Sequence, residues 1–138
     1  MRNAFIRALT DVAARDERIV FLTGDLGYKL FDDFAQRYPC RFMNVGVAEA
    51  TMAGVAAGLA LEGKKPFIYS LVPFATLRCY EQNRTDICYH NADVTVVGVG
   101  GGGIIRVVLP ADDRVVLPAA DRDVADSARQ NVEADTIE

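Results

Sequence analysis

Asn44-Val45-Gly46-Val47-Ala48-Glu49-Ala50-Thr51-Met52-Ala53-Gly54-Val55-Ala56-Ala57-Gly58-Leu59-Ala60 leads a short apolar strand through a glycine into a helix of small residues. One carboxylate, Glu49, stands at the handover. The apolar run at 42–45 reads as a strand, and Ala48 to Leu61 as a long helix stopped by Gly63. Working backwards, Leu30 to Tyr38 reads as a short helix that must stop near Pro39. Gly24-Asp25-Leu26-Gly27 is a turn, and Arg18 to Thr23 a short buried strand. Asn3 caps a helix to about Arg15, with Phe5, Ile6, Leu9, Val12 and Ala13 at helical spacing. Working forwards, Lys65 to Ser70 is a third strand, and Pro73 opens a helix to about His90. Asp93 to Val99 is a fourth strand. Strands alternating with helices in this way predict an α/β fold with a doubly wound, mainly parallel sheet and helices on both faces. Ligands of such sheets bind beyond the carboxyl ends of the strands. Asp25, Glu49 and Phe74 all fall on turns at that end.

Residues 1–103 form the expected domain core, and 104–138 a divergent tail with a last strand and helix of the same domain, one copy of its repeat being a spacer or a displaced strand. Val107-Val108-Leu109-Pro110-Ala111-Asp112-Asp113-Arg114 is followed at once by Val115-Val116-Leu117-Pro118-Ala119-Ala120-Asp121-Arg122, an eight-residue near-repeat. Two copies are too few for a solenoid. One copy would supply a last strand, and 121–134 a terminal helix with a frayed end beyond it.

A length of 138 residues suits one domain, and 51% hydrophobic with 25% charged residues argues against disorder throughout. The tail carries four arginines against eight carboxylates, so it accounts for the whole formal charge of −4. No basic patch points to nucleic acid. No apolar run reaches the ~20 residues of a membrane span. The charged amphipathic N-terminus does not read as a signal peptide. Cys40, Cys79 and Cys88 lack metal-ligand spacing, and scattered thiols fit a reducing cytoplasm. No metal site is expected on this chain.

The motif Gly46-Val47-Ala48-Glu49, with Met52 to Ala60 and Gly63-Lys64-Lys65-Pro66, resembles the pyrimidine-binding domain of transketolase-type enzymes. Thr23-Gly24-Asp25-Leu26-Gly27 resembles the family's first-strand turn. Tyr69-Ser70, Pro73-Phe74, Leu77-Arg78 and Tyr80-Glu81-Gln82 resemble its third-strand and helix segment, and Val96 to Gly102 the next strand and glycine loop. The likeness covers roughly residues 3–103 and fits the C-terminal half of a split transketolase. It implies the thiamine diphosphate-binding fold, with a shortened C-terminal part. It further implies thiamine diphosphate as cofactor, its aminopyrimidine end on this chain. Mg²⁺ and the diphosphate would then be held by a partner subunit with a Gly-Asp-Gly…Asn motif, which this sequence lacks.

By that resemblance Glu49 is the catalytic acid, hydrogen-bonded to ring nitrogen N1′ so that the cofactor can shed its C2 proton. Phe74 would line the ring, and Asp25 and Arg78 would lie near the cofactor. Each has a plainer reading: a first-turn glutamate on a helix dipole, a core phenylalanine, a turn aspartate, and an arginine paired with Glu81. His90 reads as a solvated helix end. The stripe Ala50, Gly54, Gly58 allows close approach either to the chain's own sheet or to a partner. The family's Glu-Gln-Asn is Glu49-Ala50-Thr51 here. Its histidine loop after the glycines, which supplies substrate contacts, is replaced by the octapeptide repeat. The resemblance therefore implies a cytoplasmic, transketolase-like transferase subunit moving two-carbon ketol units between phosphosugars. It would be a homodimer or heterotetramer, inactive without the diphosphate-binding subunit. A deoxyxylulose phosphate synthase-like or 2-oxoacid dehydrogenase-like subunit is the alternative within enzymes. A non-catalytic α/β module for dimerisation or partner binding is the alternative outside them.

Overall fold

Ile19-Val20-Phe21-Leu22-Thr23 is buried at every position, as a strand covered on both faces must be. It is β1 (Ile19–Thr23) of the computed structural model, which describes residues 2–101 and the backbone of 105–107. Around it run α1 (Arg2–Ala13), α2 (Asp32–Arg37), β2 (Phe42–Asn44), α3 (Glu49–Leu61), β3 (Lys65–Leu71), β4 (Thr95–Val99) and β5 (Ile105–Val107). The sheet order is β2-β1-β3-β4-β5. The first four strands are parallel, with Thr23 level with both Asn44 and Tyr69, and Ser70 level with Gly98. The last strand runs antiparallel on β4, pairing Val97 with Arg106.

The alternation along β1 divides the interior. Val20 and Leu22 face a cluster with Met52, Ala53, Ala56 and Ala57 of α3, and with Ala75, Cys79 and Ile87. Ile19 and Phe21 face a second cluster with Phe5, Ile6, Leu9, Val12 and Ala13 of α1 and with Phe31, Phe34 and Tyr69. The chain leaves β1 towards the α1/α2 face and leaves the adjacent β3 towards the α3 face. The crevice between those two strand ends is the switch point where such sheets bind ligands.

The structure corrects several sequence expectations. The helix expected from Pro73 to His90 is irregular: π turns at Phe74–Arg78 and Asn83–Cys88 flank one α turn at Tyr80–Gln82. Its side chains compete for backbone carbonyls. Thr76 Oγ1 donates to Val72 (2.7 Å), Asn83 Nδ2 to Ala75 (2.9 Å) and Thr85 Oγ1 to Glu81 (2.8 Å). The Tyr89 amide reaches back five residues to Arg84 at 3.0 Å. Such widened turns collect at functional sites. The buried core residues of α3 facing the sheet are Met52, Ala53, Ala56 and Ala57, with Ala50 of the stripe packed partly against them, while Gly54 is half-buried and Gly58 exposed. A side chain at Gly54 would face Asp86, and one at Gly58 would meet nothing within 4 Å. The α3 helix closes as expected: Gly63 takes φ +79°, and the Lys64 amide bonds back to Leu59 at 3.0 Å. The last strand precedes the octapeptide repeat and shares only Val107 with it. The repeat beyond Val107 and the expected helix at 121–134 lie outside the described residues.

Candidate functional site

Glu49 is the first residue of α3, so its backbone amide end and the helix dipole favour a negative charge there. The loop from β2 turns its side chain inward over the ends of β1 and β3. It is 1% exposed. The glycine beneath it leaves room for this approach, since a Cβ on Gly24 would crowd Glu49 Oε1 at 3.2 Å. Ser70, buried near the end of β3, donates from Oγ to the same Oε1 at 2.8 Å. Arg78 donates from Nη1 to the other oxygen, Oε2, at 2.7 Å. Burial pushes the Glu49 carboxyl up. The hydrogen bonds from Ser70 and Arg78 and the arginine's charge outweigh it, leaving the pKa below the ordinary glutamate value.

Arg78 and Phe74 lie on one widened turn, which stacks the Arg78 guanidinium over the Phe74 ring, 3.7 Å from its centroid. Phe74 is half-buried, and the Arg78 side chain is 41% exposed. The structure therefore joins Glu49, Phe74 and Arg78 in one contact network. The expected local partner of Arg78, Glu81, gives way to Glu49, whose helix the sheet crossover brings alongside.

Asp25 stands apart from that network. It is exposed and left-handed (φ 58°) in the turn after β1. Asn44 Nδ2 donates to its carboxylate at 2.9 Å, and Asn44 Oδ1 accepts from the amides of Asp25 (3.1 Å) and Gly46 (3.0 Å). Asn44 thus ties together the two turns that flank Glu49. Sequence reasoning gave Asn44, Ser70 and Gly24 no role. A polar residue near the carboxyl end of a buried strand was the available signal for Ser70.

Behind the site, Cys79 is fully buried, and burial, with the Glu49 charge, pushes its thiol up. A raised pKa of this kind makes it an inert packing thiol. His90 is exposed with Nδ1 2.9 Å from the Thr85 carbonyl oxygen, at a distance in sequence from the network. Among the described residues no cluster of three or more His, Cys, Asp or Glu is placed to hold a metal ion. No helix among them is long and apolar enough to cross a membrane.

The family model of the transketolase pyrimidine-binding domain matches residues 1–107. The 6-deoxy-6-sulfo-D-fructose transketolase subunit SqwH of a Clostridium sp. is 41% identical over 103 residues, 74% of this chain and 32% of that protein. The 1-deoxy-D-xylulose-5-phosphate synthase of Bacillus velezensis is 40% identical over 97 residues, 69% of this chain and 15% of that protein. A solved split-gene transketolase, an inactive beta4 tetramer, superposes with a TM-score of 0.64 at 40% identity, covering 69% of this chain and 32% of that one. This chain belongs to the transketolase pyrimidine-binding domain family. It spans about a third or less of the length of these relatives.

Proposed function

We propose that the chain is the pyrimidine-binding subunit of a thiamine diphosphate-dependent, transketolase-like transferase. The observation that carries this reading is the buried Glu49 carboxylate, set on Gly24 at the switch point and oriented by Ser70. The residues fit a flat, nitrogen-bearing ring. One carboxylate oxygen is fixed by Ser70, and the Phe74 face already carries a planar group. Glu49 would hold the ring nitrogen, sharing a proton with it in a site closed to water. Phe74 would hold the ring face at low entropic cost. Asp25, tied to Asn44, would border the cofactor at the subunit junction. When bound, thiamine diphosphate supplies the nucleophilic carbon that carries a two-carbon ketol unit between phosphosugars.

The diphosphate and Mg²⁺ belong, in this reading, to a partner subunit, with the complex a homodimer or heterotetramer in the cytoplasm. Val47, Leu77 and Tyr80, which flank the site residues in sequence, are 66–75% exposed and offer apolar surface to such a partner. One relative being a transketolase subunit and another a split-gene transketolase supports the same arrangement. The test is calorimetric titration of thiamine diphosphate with Mg²⁺ into this chain, with and without a diphosphate-binding transketolase subunit. Tight binding and ketol transfer are expected only in the mixture. Full activity of the isolated chain, or none in a stable complex, contradicts the proposal. The second outcome favours a partner-binding module without catalysis. The match to deoxyxylulose phosphate synthase supports a second reading of the substrate, and donor-specificity assays on the complex separate the two.

A further inference from the structure

We propose that the Arg78 guanidinium is an internal placeholder for the aminopyrimidine ring, filling both of its anchor points in the free chain and swinging out when a flat heterocycle enters. The inference rests on the reading of Glu49 and Phe74 given above. A guanidinium and an aminopyrimidine share planarity, delocalisation and N–H donors. Here the guanidinium makes the two contacts assigned to the ring. It lies 3.7 Å over the Phe74 centroid, and it donates to Glu49 at 2.7 Å. The ring and the guanidinium cannot both hold the same face and the same oxygen.

The geometry also shows how the exchange proceeds without dismantling the site. The two carboxylate oxygens have separate donors, Ser70 on Oε1 and Arg78 on Oε2. Departure of Arg78 frees Oε2 while Ser70 keeps the carboxyl aimed. Arg78 has somewhere to go, because its side chain is 41% exposed while Glu49 is 1% exposed. Arginine gains hydration on leaving, and the buried carboxyl it abandons is left with a cost that an incoming ring removes. Binding and release of Arg78 are therefore coupled, and the apparent affinity for the ring is reduced by the fraction of molecules in which Arg78 is closed.

The experiment uses the full chain and the probe 4-amino-5-hydroxymethyl-2-methylpyrimidine, which carries the ring without thiazolium or diphosphate. Isothermal titration into wild type, Arg78→Ala and Arg78→Lys is expected to show tighter binding by about tenfold for Arg78→Ala, the step worth roughly 1.4 kcal/mol. Arg78→Lys, which keeps the charge and loses the planar fork, falls between. In wild type, the Arg78 Nε–H resonance moves on titration to the position it has in Glu49→Gln, and this readout stands even where Arg78→Ala does not fold. Equal or weaker binding by Arg78→Ala, or an Arg78 resonance that ignores the probe, overturns the placeholder and leaves the aminopyrimidine reading intact. No binding by any form, with the diphosphate-binding subunit present as well as absent, overturns both.

Discussion

On the sheet face that carries α1 and α2, rings pack against rings. Phe21 lies 4.8 Å from Phe31 and 5.5 Å from Phe34, and Tyr69 lies 5.0 Å from Phe31 and 5.8 Å from Phe5. On the opposite face the partners are small: Ala53, Ala56, Ala57 and Ala75 around Met52 and Ile68. The polar network of Glu49, Ser70 and Arg78 sits on α3, β3 and the irregular segment of that second face. One face fills volume with large, non-directional side chains. The other lets backbones come close, and closeness places a carboxylate against a strand end. Stability and chemistry are thus divided between two sides of a single sheet. Gly27 and Gly24 repeat the division in miniature. A Cβ on Gly27 would collide with the Phe31 ring at 2.2 Å, and one on Gly24 would crowd the Glu49 carboxylate at 3.2 Å.

The largest expected effect falls on the aromatic face. Phe21 is fully buried and touches rings of Phe5, Phe31, Phe34, Phe42 and Tyr69. Phe21→Ala is expected to cost about 3–5 kcal/mol in urea unfolding, with the Arg78–Glu49 contact retained in the molecules that remain folded. A loss below about 1 kcal/mol would break the division of labour between the faces.

The acid limb of stability sharpens the comparison at lower cost. Glu49 has a folded pKa below its unfolded value, so its contribution is present above the ordinary glutamate range and is lost as pH falls through the folded value. Asp16, at the opposite end of β1, is lowered first by its hydrogen bond from Arg18 and follows the same sign. Glu49→Gln and Asp16→Asn should each flatten the fall of the urea midpoint as pH drops through and below the ordinary carboxylate range. A Glu49→Gln profile parallel to wild type would mean that the Ser70 and Arg78 bonds do not hold the charge.

Much of the scaffold was legible because burial writes itself into the sequence. The apolar runs at 19–23 and 94–99 and the glycine at 63 mark two strands and a helix stop by local rules. The site was legible only in part. Glu49 and Phe74 stood out through their motif, but the partner of Arg78 did not. Spacing rules favour Glu81, three residues away, whereas the ion pair spans 29 residues and exists only because α3 crosses over to β3. The irregular turns at 74–88 were hidden for a related reason. Thr76, Asn83 and Thr85 look acceptable in a helix until their side chains take the backbone's acceptors. The antiparallel β5 escaped the strand–helix alternation altogether, because no helix separates it from β4 among the described residues.

The most direct test of the central claim is the ketol-transfer rate of Glu49→Gln in complex with a diphosphate-binding subunit, at saturating thiamine diphosphate and Mg²⁺. Gln keeps the shape and the Ser70 hydrogen bond while removing the proton-sharing group. A loss of about 10²–10⁴-fold in kcat is expected, with the complex still assembled. A kcat within a factor of two of wild type would contradict it.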